Sequence, residues 1–143
     1  MSREWIIPIP NGCPAHLRDR MDRLCMLQGE ANGLRGLLGV PVWLCGSAMR
    51  DDNGDPRDWD VRLVLPKHRF EARYGPVDDW MAEGAVGLWE RTRWRWSDDC
   101  TKFSRDWSKT TRMNIDLQVQ PLPTWLKHRE EPRMRLDTRW AAR

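Results

Sequence analysis

The sequence predicts an α/β domain of the α+β kind: a small mixed β-sheet with helices packed on one face and the other face left open. Three observations predict it. Short apolar runs that end at glycine or proline, at 40–45, 58–66 and 113–121, read as strands. Amphipathic or capped stretches lie before and between them and read as helices. Two of the strands alternate apolar and polar residues, which is the pattern of a sheet covered on one side. At 143 residues the chain fits one domain.

The elements follow in chain order. Residues 1–13 carry Pro8, Pro10 and Gly12 and read as an N-terminal arm, extended or forming an edge strand. Pro14 suits the first turn of a helix. Leu17, Met21, Leu24 and Gln28 then recur at helical spacing, predicting a helix from 14 to about 31. Gly29, Gly33, Gly36 and Gly39 predict a break near Asn32. "VPVWLC" (40–45) is a buried strand ending at Gly46, and "DWDVRLVLP" (58–66) is a second, closed by Pro66. A helix is expected near 78–90, and "RTRWRW" (91–96) alternates like a strand. Ser97, followed by Asp98 and Asp99, reads as an N-cap opening a helix to about Lys109. "MNIDLQVQP" (113–121) is the third strand. The core is thus 14–121, with a tail, 122–143, expected to form a short helix or an extended wrap.

Composition narrows the function classes. Apolar residues at 40% and charged residues at 31% fit a folded chain. A net charge of +3 permits a polyanionic partner without requiring one. Cys13, Cys25, Cys45 and Cys100 form no C-x-x-C pair, and His16, His68 and His128 are scattered, so a zinc site is not expected. No apolar stretch approaches the length of a membrane span and no signal-peptide pattern is present. A soluble cytoplasmic protein with no membrane partner is the expectation. The ten tryptophans are spread along the chain and form no repeat.

The polar faces of the strands carry the chemistry. Alternation places Trp59, Val61, Leu63 and Leu65 on one face and Asp58, Asp60 and Arg62 on the other. In the third strand Ile115, Leu117 and Val119 oppose Asn114, Asp116, Gln118 and Gln120. If the two strands are neighbours, about 4.8 Å apart, Asp116 faces Asp58 and Asp60. Carboxylates that close repel one another, and a divalent cation relieves the repulsion. Oxygen ligands without histidine or cysteine favour Mg2+ or Mn2+. Gly46 and Ser47 directly follow a buried strand. There glycine admits close backbone approach, and the amides of a following short helix, with the Ser47 hydroxyl, suit phosphate. Carboxylates and a phosphate-binding turn together point to a nucleoside triphosphate held through its metal.

"GSAMRDDNGDPRDWDVRLVL" (46–65) resembles the signature of the DNA polymerase β-like nucleotidyltransferase superfamily in its minimal form. That signature is Gly-Ser, a spacer, Asp-x-Asp followed by hydrophobic residues, and a third Asp on a later strand. Asp58 lies twelve positions after Gly46, and Asp116 in "NIDLQV" stands in the third place. The resemblance covers about 40–66 and 113–121. It implies a nucleotidyltransferase fold that moves a nucleoside monophosphate from a triphosphate to a hydroxyl, releasing pyrophosphate. By the resemblance Asp58, Asp60 and Asp116 are catalytic and hold the metal, Asp116 accepts the hydroxyl proton, and Gly46, Ser47, Arg50 and Arg62 meet the nucleotide. The acceptor is an RNA or other nucleic acid, a protein or a small molecule. Arg62 stands where a hydrophobic residue is common, Asp51 replaces a frequent glycine, and little chain follows Asp116. The alternative is therefore a binding module with weak or no turnover, acting through a partner protein or RNA in the manner of an antitoxin subunit. A homodimer is also compatible with the many tryptophans.

Other segments have plainer readings. "DDNGDPR" is not a calcium loop, because Pro56 stands where glycine is required and Arg62 where the closing glutamate belongs. It reads as a polar turn. The Trp/Arg-rich segment 89–107 offers base stacking and phosphate contacts, against a simpler reading in which Trp94 and Trp96 fill the core. Lys102, Arg105 and Lys109 either reach a triphosphate or form an exposed helix face. Cys45 is expected to pack as a small apolar residue.

Overall fold

The computed structural model describes residues 5–6, 13–18, 20–50, 57–77, 94–127, 130–137 and 141–142. The expected helix at 78–90, most of the "DDNGDPR" turn and Arg91 and Arg93 lie outside the described residues. A four-stranded mixed sheet and five helices make up the described fold. In chain order the elements are β1 (Trp5–Ile6), α1 (Ala15–Arg18), α2 (Met21–Leu38) and β2 (Val42–Cys45), which runs into a 3-10 turn (Gly46–Met49). Then come β3 (Trp59–Leu65), α3 (Lys67–Tyr74), α4 (Trp94–Thr111), β4 (Ile115–Pro121), α5 (Leu122–Lys127), β5 (Met134–Arg135) and β6 (Ala141–Ala142).

The main sheet has the order β4-β3-β2-β5. β2 is antiparallel to β3 and β5, while β3 and β4 are parallel. β1 and β6 form a separate antiparallel pair, so the arm meets the end of the tail. On one sheet face Val42, Leu44, Val61, Leu117 and Met134 are completely buried. Leu17 of α1, Leu24 and Leu27 of α2, Phe70 and Tyr74 of α3 and Trp107 of α4 pack into that same cluster. Burying each such side chain is worth about 1.5–3 kcal/mol, which explains why apolar residues hold every inward position of β3 and β4. The fifth helix differs. Trp125 of α5 packs with Cys45 and Val64 on the opposite face, so that face is covered at one end.

Three expected boundaries are corrected. The first helix is two: α1 ends at Arg18, and α2 runs from Met21 through Asn32, Gly33 and Gly36 to Leu38. Glycine lowers helix propensity by only about 1 kcal/mol, and the buried stripe Leu24, Leu27, Ala31 and Leu34 outweighs that. The stop is Gly39, left-handed at φ 67°, whose N–H bonds the Arg35 carbonyl at 2.7 Å. The second correction concerns 94–96, which is helix and not strand, and the third Ser97, which lies inside the first turn of α4 and does not cap it.

The reason for both lies in how α4 meets β4. β4 is the edge of the sheet, and α4 lies antiparallel along it. Trp96 Nε1 donates to the Val119 carbonyl (2.7 Å), and the Val119 N–H reaches Cys100 Sγ (3.4 Å). Ser104 Oγ accepts from Leu117 N–H (2.8 Å) and donates to the same residue's carbonyl (3.2 Å). Ser108 Oγ accepts from Ile115 N–H at 3.0 Å. Four helical residues advance about 6 Å and two strand residues about 6.6 Å. A stripe at 96, 100, 104 and 108 therefore keeps pace with 119, 117 and 115, and satisfies the outward backbone groups that an edge strand otherwise leaves bare.

The tail is tied down by a buried carboxylate. Asp137, 3% exposed, accepts the Val42 N–H at 3.0 Å and both Arg135 Nε and Nη2, and pairs with Arg35 at 3.1 Å. Leu136 N–H completes the join by donating to the Val42 carbonyl at 2.9 Å.

Candidate functional site

β3 and β4 are neighbours in register, with Asp60 opposite Asp116. Residues paired across strands share a face, so one row of the open face reads Cys45, Asp60, Asp116 and the next reads Arg135, Trp43, Arg62, Gln118. The two aspartates stand side by side. Asp60 is half-buried and Asp116 exposed. The Asp60 carboxyl is pushed above its ordinary range, first by burial and then by the nearby Asp116 and Asp58 charges and a hydrogen bond with Asp116, while Arg62 opposes the shift. Asp58 precedes the strand, is exposed, and accepts a short hydrogen bond from Asn114 Nδ2.

Gly46 forms the other wall. Its φ of 69° is left-handed. A Cβ there would fall within van der Waals distance of Asp60 Oδ2 and 2.8 Å from Cγ. Only glycine satisfies both conditions, and the carboxylate packs directly on the start of the 3-10 turn. Ala48 and Met49 anchor that turn by burial, and His16 Nε2 donates to the Ala48 carbonyl at 2.8 Å. Ser47 and Arg50 are exposed beside it. Arg62 Nη1 donates to the Val61 and Asp116 carbonyls at 3.0 and 3.2 Å, so it braces the backbone between the strands.

The structure thus gathers Asp60, Asp116, Gly46 and Arg62, with Asp58 at the edge and Ser47 and Arg50 on the adjoining turn. Among the described residues no set of three His, Cys, Asp or Glu side chains is arranged as a metal cluster. Asp60 and Asp116 face each other across the strands, and Asp58 beside them accepts from Asn114. The pair still fits the chemistry of a hard cation, because Mg2+ is commonly held by one or two carboxylates plus substrate phosphates. Burial is the first cause of the upward push on Asp60, and the Asp116 and Asp58 charges add the repulsion that a cation relieves.

Other features fall around this centre. An open groove of about 480 Å3 runs between α4 and β4, reaching from Trp96 past Thr101 and Arg105 to Asn114, Asp116 and Gln118. Trp43 and Trp125 pack at 5.6 Å between ring centroids, and the Arg133 guanidinium lies 3.8 Å over the Trp125 ring. This stack closes the open face on the β2 side. Cys45 is buried against it with its thiol pushed up by burial, as expected of a packing residue. Trp94 is 52% exposed, whereas Trp96 packs partly against the core. Lys102 pairs with Asp98 at 3.1 Å, and Lys102, Arg105 and Lys109 are all exposed. Sequence reasoning missed Asn114 as a partner of Asp58. The signal was its place on the polar face, two residues before Asp116.

Comparisons with protein families, with curated proteins and with solved structures return no match to this chain. Among the described residues no helix is long and apolar enough to cross a membrane.

Proposed function

We propose that this chain is a metal-dependent nucleotidyltransferase. One observation carries the reading: Asp60 and Asp116 stand opposite each other on parallel neighbouring strands, with Asp60 packed on the left-handed Gly46. The resemblance of 46–65 to the polymerase β-like signature supports the same reading from the sequence.

In this reading Asp60 and Asp116, joined by Asp58, hold Mg2+ or Mn2+, which when bound neutralises the triphosphate and the departing pyrophosphate. Gly46 keeps the turn close enough for Ser47 and Arg50 to meet phosphate oxygens. Arg62 opposes the upward push on the Asp60 carboxyl. Asp116, the exposed member, takes the proton of the acceptor hydroxyl. The acceptor oxygen bonds to the α-phosphorus as the bond to the β-phosphate oxygen breaks, and pyrophosphate leaves. Positioning and charge neutralisation do most of the work, as in phosphoryl transfer generally.

A second reading is a binding module without turnover, favoured by the Asn114 hydrogen bond that occupies Asp58. One experiment separates them. The protein is incubated with each labelled nucleoside triphosphate, Mg2+ or Mn2+, and RNA, protein and small-molecule acceptors. The enzyme reading expects pyrophosphate release and labelled acceptor, falling about 100-fold or more in Asp60→Asn and Asp116→Asn. Nucleotide binding without release supports the module. Release that survives both substitutions refutes the site.

A further inference from the structure

A second cavity lies on the helix-covered face of the sheet, farther along β3 and β4 than the acidic pair. It encloses about 330 Å3. Its floor is apolar: Leu38, Leu63, Leu65, Phe103 and Val119. Its rim is not. Arg69, Arg73, Tyr74 and Asp99 line it.

Protein interiors are packed to crystal density, and a void against five apolar side chains forfeits their dispersion contacts on one side. The volume falls within the range of small-molecule sites, about 300–1,000 Å3, which are lined mainly by apolar groups with a few placed polar ones. The rim selects the sign of the polar group. Asp99 accepts from Arg73 Nε at 2.6 Å, Arg73 Nη2 at 3.0 Å and Tyr74 Oη at 2.6 Å, so one carboxylate is matched with one guanidinium. Arg69 adds a second guanidinium, whose Nη1 is fixed by the Leu38 carbonyl at 2.7 Å. The rim therefore has one positive charge in excess, oriented by a backbone bond at the mouth of an apolar chamber.

We infer that this cavity binds an amphipathic monocarboxylate, its apolar body on Leu63, Leu65 and Val119 and its carboxylate at Arg69. Arg69 is the specificity residue, because a guanidinium held by one of its nitrogens still presents others to an anion. The site shares no residue with the acidic pair.

The test is calorimetric titration of the full chain with decanoate below its micellar concentration, beside decanol and decyltrimethylammonium. Saturable one-to-one binding of decanoate is expected, with the alcohol about tenfold weaker and the cation weaker still. Arg69→Gln reduces decanoate affinity about tenfold and leaves decanol unchanged. Leu38→Trp, at the half-exposed edge of the floor, blocks both ligands. Asp116→Asn alters neither. Methyl NMR locates the ligand at Leu63, Leu65 and Val119. Absence of saturable binding, equal affinity for all three amphiphiles, or shifts confined to other methyl groups overturns the inference.

Discussion

Gly46 and Asp60 are in contact so close that no side chain fits between them. A Cβ on Gly46 would lie 2.8 Å from the Asp60 carboxyl carbon, and its φ of 69° already disfavours any other residue. The glycine ends a buried strand, and the aspartate begins the polar face of the next. Their contact fixes where the carboxylate stands relative to the turn that follows.

Gly46→Ala is expected to cost about 1–2 kcal/mol from the left-handed backbone alone, plus the displacement of Asp60. Gly36→Ala has the opposite sign. Nothing lies within 4 Å of its added methyl, and the position is helical. It should stabilise by about 0.5–1 kcal/mol. Urea denaturation of both variants checks the contrast.

The upward push on Asp60 has a consequence for pH. Its folded pKa lies above its unfolded value, so the folded state carries a penalty above that window that is absent below the unfolded pKa. Without divalent cation, stability attributable to this group is lost as pH rises through its folded pKa. Asp60→Asn should therefore raise the melting temperature at pH 7. Thermal unfolding from pH 3.5 to 7.5, with and without Mg2+, measures it. A lower melting temperature for the variant at pH 7 contradicts the claim.

Asp99 titrates in the other sense. Burial pushes its carboxyl up, but hydrogen bonds from Arg73 and Tyr74 win and hold it below the ordinary range. Its contribution is present above the unfolded pKa and disappears as pH falls through the folded one. Asp99→Asn should flatten the acid limb of the stability profile. An unchanged acid limb would count against the network.

Ser104 bonds both the N–H and the carbonyl of Leu117. Ser104→Ala leaves two edge groups without these partners and should cost about 1–3 kcal/mol. Amide exchange at Leu117 should accelerate, and that of Val61, inside the sheet, should change only with global stability. Equal acceleration at both amides would deny α4 its edge-sealing role.

How much of this was legible beforehand depends on the range of the interaction. The faces of β3 and β4 were readable because period-two alternation is local, and it placed Asp60 and Asp116 on the polar side. Their pairing needed the parallel register, which a single strand does not encode. The alternation of "RTRWRW" misled at 94–96 because Trp96 opens a stripe of partners four residues apart, Cys100, Ser104 and Ser108, whose bonds to β4 a strand reading does not reveal. The glycines of α2 suggested a break because propensity is visible in sequence, whereas the core contacts of Leu27, Ala31 and Leu34 are not. Asp137 carried no local mark at all. Its partners Val42 and Arg35 are 95 and 102 residues away.

The most direct measurement of the central claim is Mn2+ titration followed by paramagnetic broadening of backbone amide signals, in the presence of a non-hydrolysable nucleoside triphosphate. The account predicts saturable broadening centred on Gly46, Asp60 and Asp116, abolished in the Asp60→Asn, Asp116→Asn double variant. Broadening centred elsewhere, or undiminished in that variant, would contradict it.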